Sequence, residues 1–168
     1  MIERLSHVTL HVLNQDEALD FYTTKLGFET RIDFRMDNGF RWLAVSPPNQ
    51  PDTQIVLQQL DSPHVPSDMA TAIQSLLAQG KLGTALVFQS DDCRQTAADL
   101  AAKGVAIVSP PTEYFHGIEA TFADNSGNRR DRRGRVKRVS SVEDEARSRT
   151  KSRTQKTPNS LLSIVGKL

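Results

Sequence analysis

Strand, capped helix, glycine and strand occur twice in this chain, in the same order and at nearly constant spacing. The segment "LSHVTLHVL" (5–13) alternates and is rich in β-branched residues, which predicts a strand. Asn14 then offers an N-cap with Glu17 three residues on, Leu19, Tyr22 and Leu26 recur at helical spacing, and Gly27 suits a helix end. The second copy runs through "GTALVFQS" (83–90), "DDCRQTAADLAAK" (91–103), Gly104 and "VAIVS" (105–109). Asn14 and Gly27 correspond to Asp91 and Gly104 at one offset, 77 residues. A strand–helix–Gly–strand order is common in α/β proteins, but the agreement of helix lengths, caps and terminators points to a true internal repeat of one unit.

Between the copies lie three strand-like segments, "FETRIDFRM" (28–36), "GFRWLAV" (39–45) and "TQIVLQQ" (53–59). The first two flank Asp37-Asn38-Gly39, which is hairpin chemistry because Asn and Gly tolerate positive φ. "PSDMATAIQSLLAQG" (66–80) reads as a connecting helix capped by Ser67 and ended by Gly80. Module one therefore spans 1–60 and module two 82–128.

Charge divides the chain at another place. Residues 1–128 carry 8 Lys/Arg against 16 Asp/Glu, a net −8, whereas residues 129–168 carry 13 against 4, a net +9. The change falls inside "ATFADNSGNRRDRRGRVKRV" (120–139). Seven of residues 129–138 are Arg or Lys, and like charges on neighbouring strand positions repel. The following "SSVEDEARSRTKSRTQKTPNS" has the composition of a disordered segment, and the apolar "LLSIVGKL" (161–168) has no evident partner. Three readings of 129–168 stand open: a polybasic segment that binds nucleic acid by counterion release, a solvated extension, or an out-of-frame end. The absence of aromatic residues after 128 counts against base stacking.

The single cysteine, Cys93, excludes an internal disulfide and a cysteine-based zinc cluster. "MIERLSHVTLHV" lacks the apolar core of a secretory signal, and no run reaches the length of a membrane span, so a cytoplasmic protein is expected. There is no phosphate-cradling glycine loop and no nucleophile elbow.

The segments "HVTLHVLNQDEALDFYTTKLGFE" (7–29), "DDCRQTAADLAAKGVAI" (91–107) and "YFHGIEATFADNSGN" (114–128) together resemble the vicinal oxygen chelate superfamily, which includes glyoxalase I, extradiol dioxygenases and bleomycin-resistance proteins. The resemblance implies an α+β fold of two βαβββ modules, their mixed sheets curving as a U around a cleft, with helices on the convex side, and a homodimer. The final strand, due after Asn128, is altered. On this fold Val8, Leu10 and Val12 face the helices, while His7, Thr9 and His11 face the cleft. Gln54, Val56 and Gln58 join them, and Phe40, Trp42 and Ala44 form an apolar wall for a small-molecule ligand.

Metal-dependent members hold one divalent ion on cleft-facing His, Glu or Gln side chains. His7 matches the first ligand. The second-module position falls at Thr84, and the carboxylate position at Val56, with Gln58 two residues on. One firm ligand of four describes an incomplete site, so a divalent metal is the cofactor only if His7, Gln58 and Glu119 can complete it. Glu119 is also a candidate carboxylate base. His11, Phe40, Trp42, Gln58 and His116 are candidate ligand contacts. Glu113 is a further cleft candidate, His64 belongs to a linker, and Asp91 and Asp92 suit helix capping. Three functions follow: a metal-free binder of an aromatic or antibiotic-like ligand, a metal-dependent lyase or dioxygenase, and a nucleic-acid-associated protein acting through its basic end.

Overall fold

The computed structural model describes residues 1–61, 63, 65–82, 86–128 and, as backbone, 160–164. His64, Thr84 and the basic run from Arg129 lie outside the described residues; of the tail 129–168, expected to be disordered, only 160–164 are described, and they form a strand.

Module one comprises β1 (His7–Val12), α1 (Gln15–Asp20) continuing into a π-helical turn (Phe21–Lys25), β2 (Glu29–Arg35), β3 (Arg41–Ser46) and β4 (Gln54–Gln59). The connecting helix α2 (Ser67–Ala78) follows. Module two comprises β5 (Leu86–Gln89), α3 (Cys93–Ala102), β6 (Ala106–Tyr114), β7 (Gly117–Ala123) and β8 (Ser160–Ile164). The fold is α+β, with two mixed four-stranded sheets ordered β1-β4-β3-β2 and β5-β8-β7-β6.

The repeat has a refinement that the sequence spacing hides. The N-cap of α3 is Asp92, whose side chain accepts from the Arg94 and Gln95 amides; Asp91 is not the cap. Asn14 does the same for α1, accepting from Asp16 and Glu17. The caps are thus 78 residues apart, while the glycines that end the helices, Gly27 (φ 73°) and Gly104 (φ 79°), are 77 apart. The π-helical turn absorbs the extra residue in module one, where the Leu26 amide reaches back five positions to the Phe21 carbonyl. Ser67 is likewise not a cap: Pro66 holds that position, and its side chain accepts from none of the first amides of the helix.

Alternation decides which face each strand buries. Leu10, Val12, Leu43, Val45, Ile55 and Leu57 turn toward α1, and Ala120 and Phe122 toward α3. These side chains, with Tyr22, Ala97 and Leu100, form one core that runs through both modules.

The "ADNSGN" segment fastens the modules together. One Asp124 carboxylate oxygen accepts from the Ser126 and Asn128 amides, and the other from the Tyr22 hydroxyl at 3.0 Å and Asn128 Nδ2 at 2.8 Å. Asn128 Nδ2 also donates to the His11 carbonyl at 3.1 Å, and Ser126 Oγ accepts from the Leu13 amide. The motif therefore ties the end of β1 and the π-helical turn to the end of β7.

The last strand position of sheet two is filled from far along the chain. Residues 160–164 lie between β5 and β7, the place that β4 holds in sheet one. The apolar end that had no evident partner in the sequence thus has two. Its direction differs from the module-one counterpart: β8 is antiparallel to β5 and parallel to β7, whereas β4 is parallel to β1 and antiparallel to β3.

Candidate functional site

The sheet-one face turned away from the core is built by alternate residues of four strands. In register across β1 and β4 stand His7 with Gln54, Thr9 with Val56, and His11 with Gln58. Ala44 of β3 pairs with Val56, and across the hairpin Ile32 pairs with Ala44 and Phe34 with Trp42. Residues directly opposite one another share a face, so this surface is aromatic and apolar at its β2–β3 side and polar along β1.

Three aromatic rings define the apolar part. Trp42 is half-buried and meets the Phe40 ring at 6.1 Å and 71°, and the His7 ring at 5.6 Å and 80°. Edge-to-face geometry of this kind holds a ring in place while leaving part of its face uncovered. Phe40 is buried, whereas Phe34 is 58% exposed beside Trp42 and Ile32 is 37% exposed beside Ala44. The sequence reading named Phe40 and Trp42 but missed Phe34 and Ile32. Their signal was available, because counting alternate residues back across the Asp37-Asn38-Gly39 turn puts them on the Trp42 face.

His11 and Gln58 face each other at one end of this surface. Burial lowers the His11 pKa below its ordinary value, which favours the neutral imidazole. His11 Nδ1 is buried with no hydrogen-bond partner among the described residues. Gln58 Nε2 donates to the Gln59 carbonyl, and Gln58 also lines a polar cavity of about 200 Å³ with Gln15, Arg35, Arg41 and Asp61.

Glu119 and His116 meet on sheet two. His116 Nε2 is 3.7 Å from Glu119 Oε2, and the Tyr114 ring stacks on His116 at 5.5 Å and 8°. Glu119 pairs across the hairpin with Thr112 and is largely covered, its side chain 14% exposed. Glu113 points along the other parity of β6, in register with Ile118.

Larger grooves lie away from the aromatic face. One of about 600 Å³ runs between α1 and the end of β7, lined by Asp16, Glu17, Asp20, Lys25 and Asp124. Another of about 680 Å³ lies between Phe28, Pro47, Pro48 and Phe88.

The sequence pattern of the Glyoxalase/Bleomycin resistance protein/Dioxygenase superfamily matches residues 4–130. The chain belongs to that superfamily. The match ends two residues into the basic run. Among solved structures, that of UcmS2 is similar at 38% identity and a TM-score of 0.71, covering 77% of this chain and 96% of UcmS2. TnmS3, an antibiotic binding protein from Streptomyces sp. CB03234, is similar at 30% identity and a TM-score of 0.58, covering 76% of this chain and 92% of its own. The uncharacterized Bacillus subtilis protein YurT is 32% identical over 71% of this chain and 90% of its own.

Metal-dependent superfamily members set a donor requirement that this face does not meet. Gln58 is in register with His11, while His7 is in register with Gln54, so Gln58 stands four residues or about 13 Å along the strand from His7. Beside His7 on the face stand its register partner Gln54, Thr9 and Val56, none of which supplies a carboxylate. Glu119 is paired with His116 on the other sheet. Among the described residues no three His, Cys, Asp or Glu side chains converge in a way that could hold an ion. The described residues therefore do not fit the superfamily's divalent metal, and His7 lies 2.9 Å from Ser6 Oγ and edge-on to the Trp42 ring. Among the described residues no helix is long and apolar enough to cross a membrane.

Proposed function

We propose that this superfamily member binds a small aromatic, antibiotic-like ligand on the outer face of sheet one without the help of a metal ion. The observation that carries the reading is the partly open apolar wall of Phe34, Trp42 and Ile32, backed by the buried Phe40 and Val56. A planar ligand laid on the wall removes exposed Phe34 and Ile32 surface from water, at about 25 cal/mol per Å². Neutral His11 and Gln58 supply polar contacts at one end, and His116 lies on the β6–β7 hairpin as a further contact. TnmS3, described as an antibiotic binding protein, supports the ligand class by its likeness. The working form in this reading is a cytoplasmic homodimer.

The chain contains one tryptophan, which makes the test direct. Titration of the full chain with planar aromatic compounds, antibiotics among them, is expected to quench Trp42 fluorescence saturably. Phe34→Ala is expected to weaken that binding about tenfold or more, while metal chelation leaves it intact. Quenching that requires an added divalent ion, or no saturable quenching by any compound, overturns the reading.

A second reading makes Glu119 a carboxylate base, supported by its covered position beside His116. Turnover of a bound compound that is lost in Glu119→Gln, with binding retained, distinguishes it.

A further inference from the structure

We propose that the slot between β5 and β7 is a strand-accepting site for a short apolar peptide, filled in the resting chain by residues 160–164. The slot is defined by two strand edges. β8 pairs with β5 at four positions, from Leu86 with Ile164 to Gln89 with Leu161, and with β7 at four, from Ile118 with Ser160 to Thr121 with Ser163. An empty slot leaves backbone donors and acceptors unpaired on both edges, in the middle of a sheet where water reaches them poorly. The slot therefore has a strong demand for a strand.

Its demand for a particular strand is weak. In sheet one the equivalent strand follows β3 directly and runs antiparallel to it. In sheet two the occupant arrives after 31 intervening residues, 129–159, and runs parallel to β7. Neither chain continuity nor the module's usual strand direction selects it. Backbone pairing on two edges remains, which is the basis of recognition by strand addition, with side chains contributing only through apolar character and β-propensity. "SLLSI" is uncharged, with three aliphatic residues of five. A peptide of the same chemistry meets the same two edges. The competing internal strand has an effective concentration in the millimolar range through its tether, so a free peptide acts at comparable concentration or when the internal strand is weakened.

The test uses the full chain. Leu162 is in register with Phe88 on one side and Ala120 on the other, and proline there removes a ladder donor. Leu162→Pro is expected to lower Tm by roughly 5–10 °C. Peptide NSLLSIV, the sequence of residues 159–165, is expected to restore most of that loss, and NSLPSIV none. An unchanged Tm in Leu162→Pro overturns the proposal, as does a folded variant that ignores NSLLSIV. A second arm stands if that variant does not fold. Val87 and Ser163 are register partners, and the native Cys93 is buried, so Val87→Cys/Ser163→Cys locks the internal strand by oxidation. Fluorescent NSLLSIV is expected to bind the reduced protein at least tenfold more tightly than the oxidised one. Equal binding to both, no binding to the reduced form, or failure to form the disulfide overturns it. A disulfide joining two chains would mean that a second copy's strand fills the slot, and overturns it.

Discussion

Lys25 and Lys103 exchange hydrogen bonds across the pseudo-symmetry of the two modules. Lys25 Nζ donates to the Lys103 carbonyl at 2.6 Å, and Lys103 Nζ donates to the Lys25 carbonyl at 3.1 Å. Each ammonium thus sits at the C-terminal end of the other module's helix, where unsatisfied carbonyls concentrate partial negative charge. The acceptors are backbone atoms, so removing one side chain leaves the reciprocal bond in place. Lys25→Ala and Lys103→Ala are each expected to cost about 0.3–1 kcal/mol, and the double variant to show the sum within about 0.5 kcal/mol. Urea unfolding of the three variants measures this. A strongly non-additive cycle would mean that the two bonds form as a unit.

The Tyr22–Asp124 bond lies deeper and responds to pH. Burial pushes the Tyr22 phenol well above its ordinary value of 10.0, with the Asp124 carboxylate adding to the shift. Burial also raises Asp124, against the opposing effect of its bonds from Asn128, Tyr22 and Ser126. Above about pH 10 the unfolded chain releases the Tyr22 proton while the folded chain retains it. The unfolded state then binds fewer protons, and stability falls as pH rises. Tyr22→Phe lacks this contribution. It is expected to cost about 1–2 kcal/mol at pH 7, because Asp124 loses a donor, and the gap from the wild type is expected to close above pH 10. Chemical unfolding at pH 7, 9 and 11 tests both statements.

Much of this arrangement was legible in the residues. The alternation of "HVTLHV" assigns His7, Thr9 and His11 to one face and Leu10 and Val12 to the core, and both assignments hold. What escaped depended on contacts between distant segments. Asp91 and Asp92 both suited capping, but the π-helical turn that lengthens the module-one helix by one residue, so that Asn14 matches Asp92, has no mark in the local sequence. Asp124 and Asn128 read as turn residues, yet their side chains reach Tyr22 and His11 more than 100 positions away. Strand β8 is the extreme case, since pairing set by backbone groups leaves no side-chain pattern to read. The metal question was half legible: Thr84 and Val56 signalled missing ligands, but only the register shows Gln58 aligned with His11.

Gly127 is required by close approach as well as by conformation. Its φ is +89°, and a Cβ there would lie 2.6 Å from the Leu77 carbonyl oxygen at the end of α2. Backbone carbonyl cannot swing aside as a side chain does, so either α2 or the 124–128 turn must move. Gly127→Ala is expected to cost about 2–3 kcal/mol. Because the same turn holds the His11 carbonyl through Asn128, the variant is expected to weaken ligand quenching of Trp42 as well as to lower Tm. Thermal melts and the fluorescence titration, run on one preparation, separate the two effects.

Arg41 connects the back of the aromatic wall to α1, and its pairing sets an acid dependence of the opposite sign to Asp124. Its guanidinium is bidentate to Asp33, at 2.6 and 2.7 Å, and reaches Asp16 at 2.6 Å, while Gln15 Nε2 donates to the Arg41 carbonyl. The Arg41 bonds hold the Asp33 carboxyl below its ordinary value of 3.8. The folded state therefore binds fewer protons than the unfolded state as pH falls through that range. The stabilisation is present above pH 4 and is lost as pH drops through the folded value. Asp33 is 38% exposed, so solvent screens the pair and the contribution at pH 7 is about 1 kcal/mol or less. Asp33→Asn is expected to lower Tm modestly at pH 7, and the difference from the wild type is expected to shrink as pH falls from 4.5 to below 3. A difference that stays constant over that range would show that the Asp33 charge plays no part and that only the shape of the side chain matters.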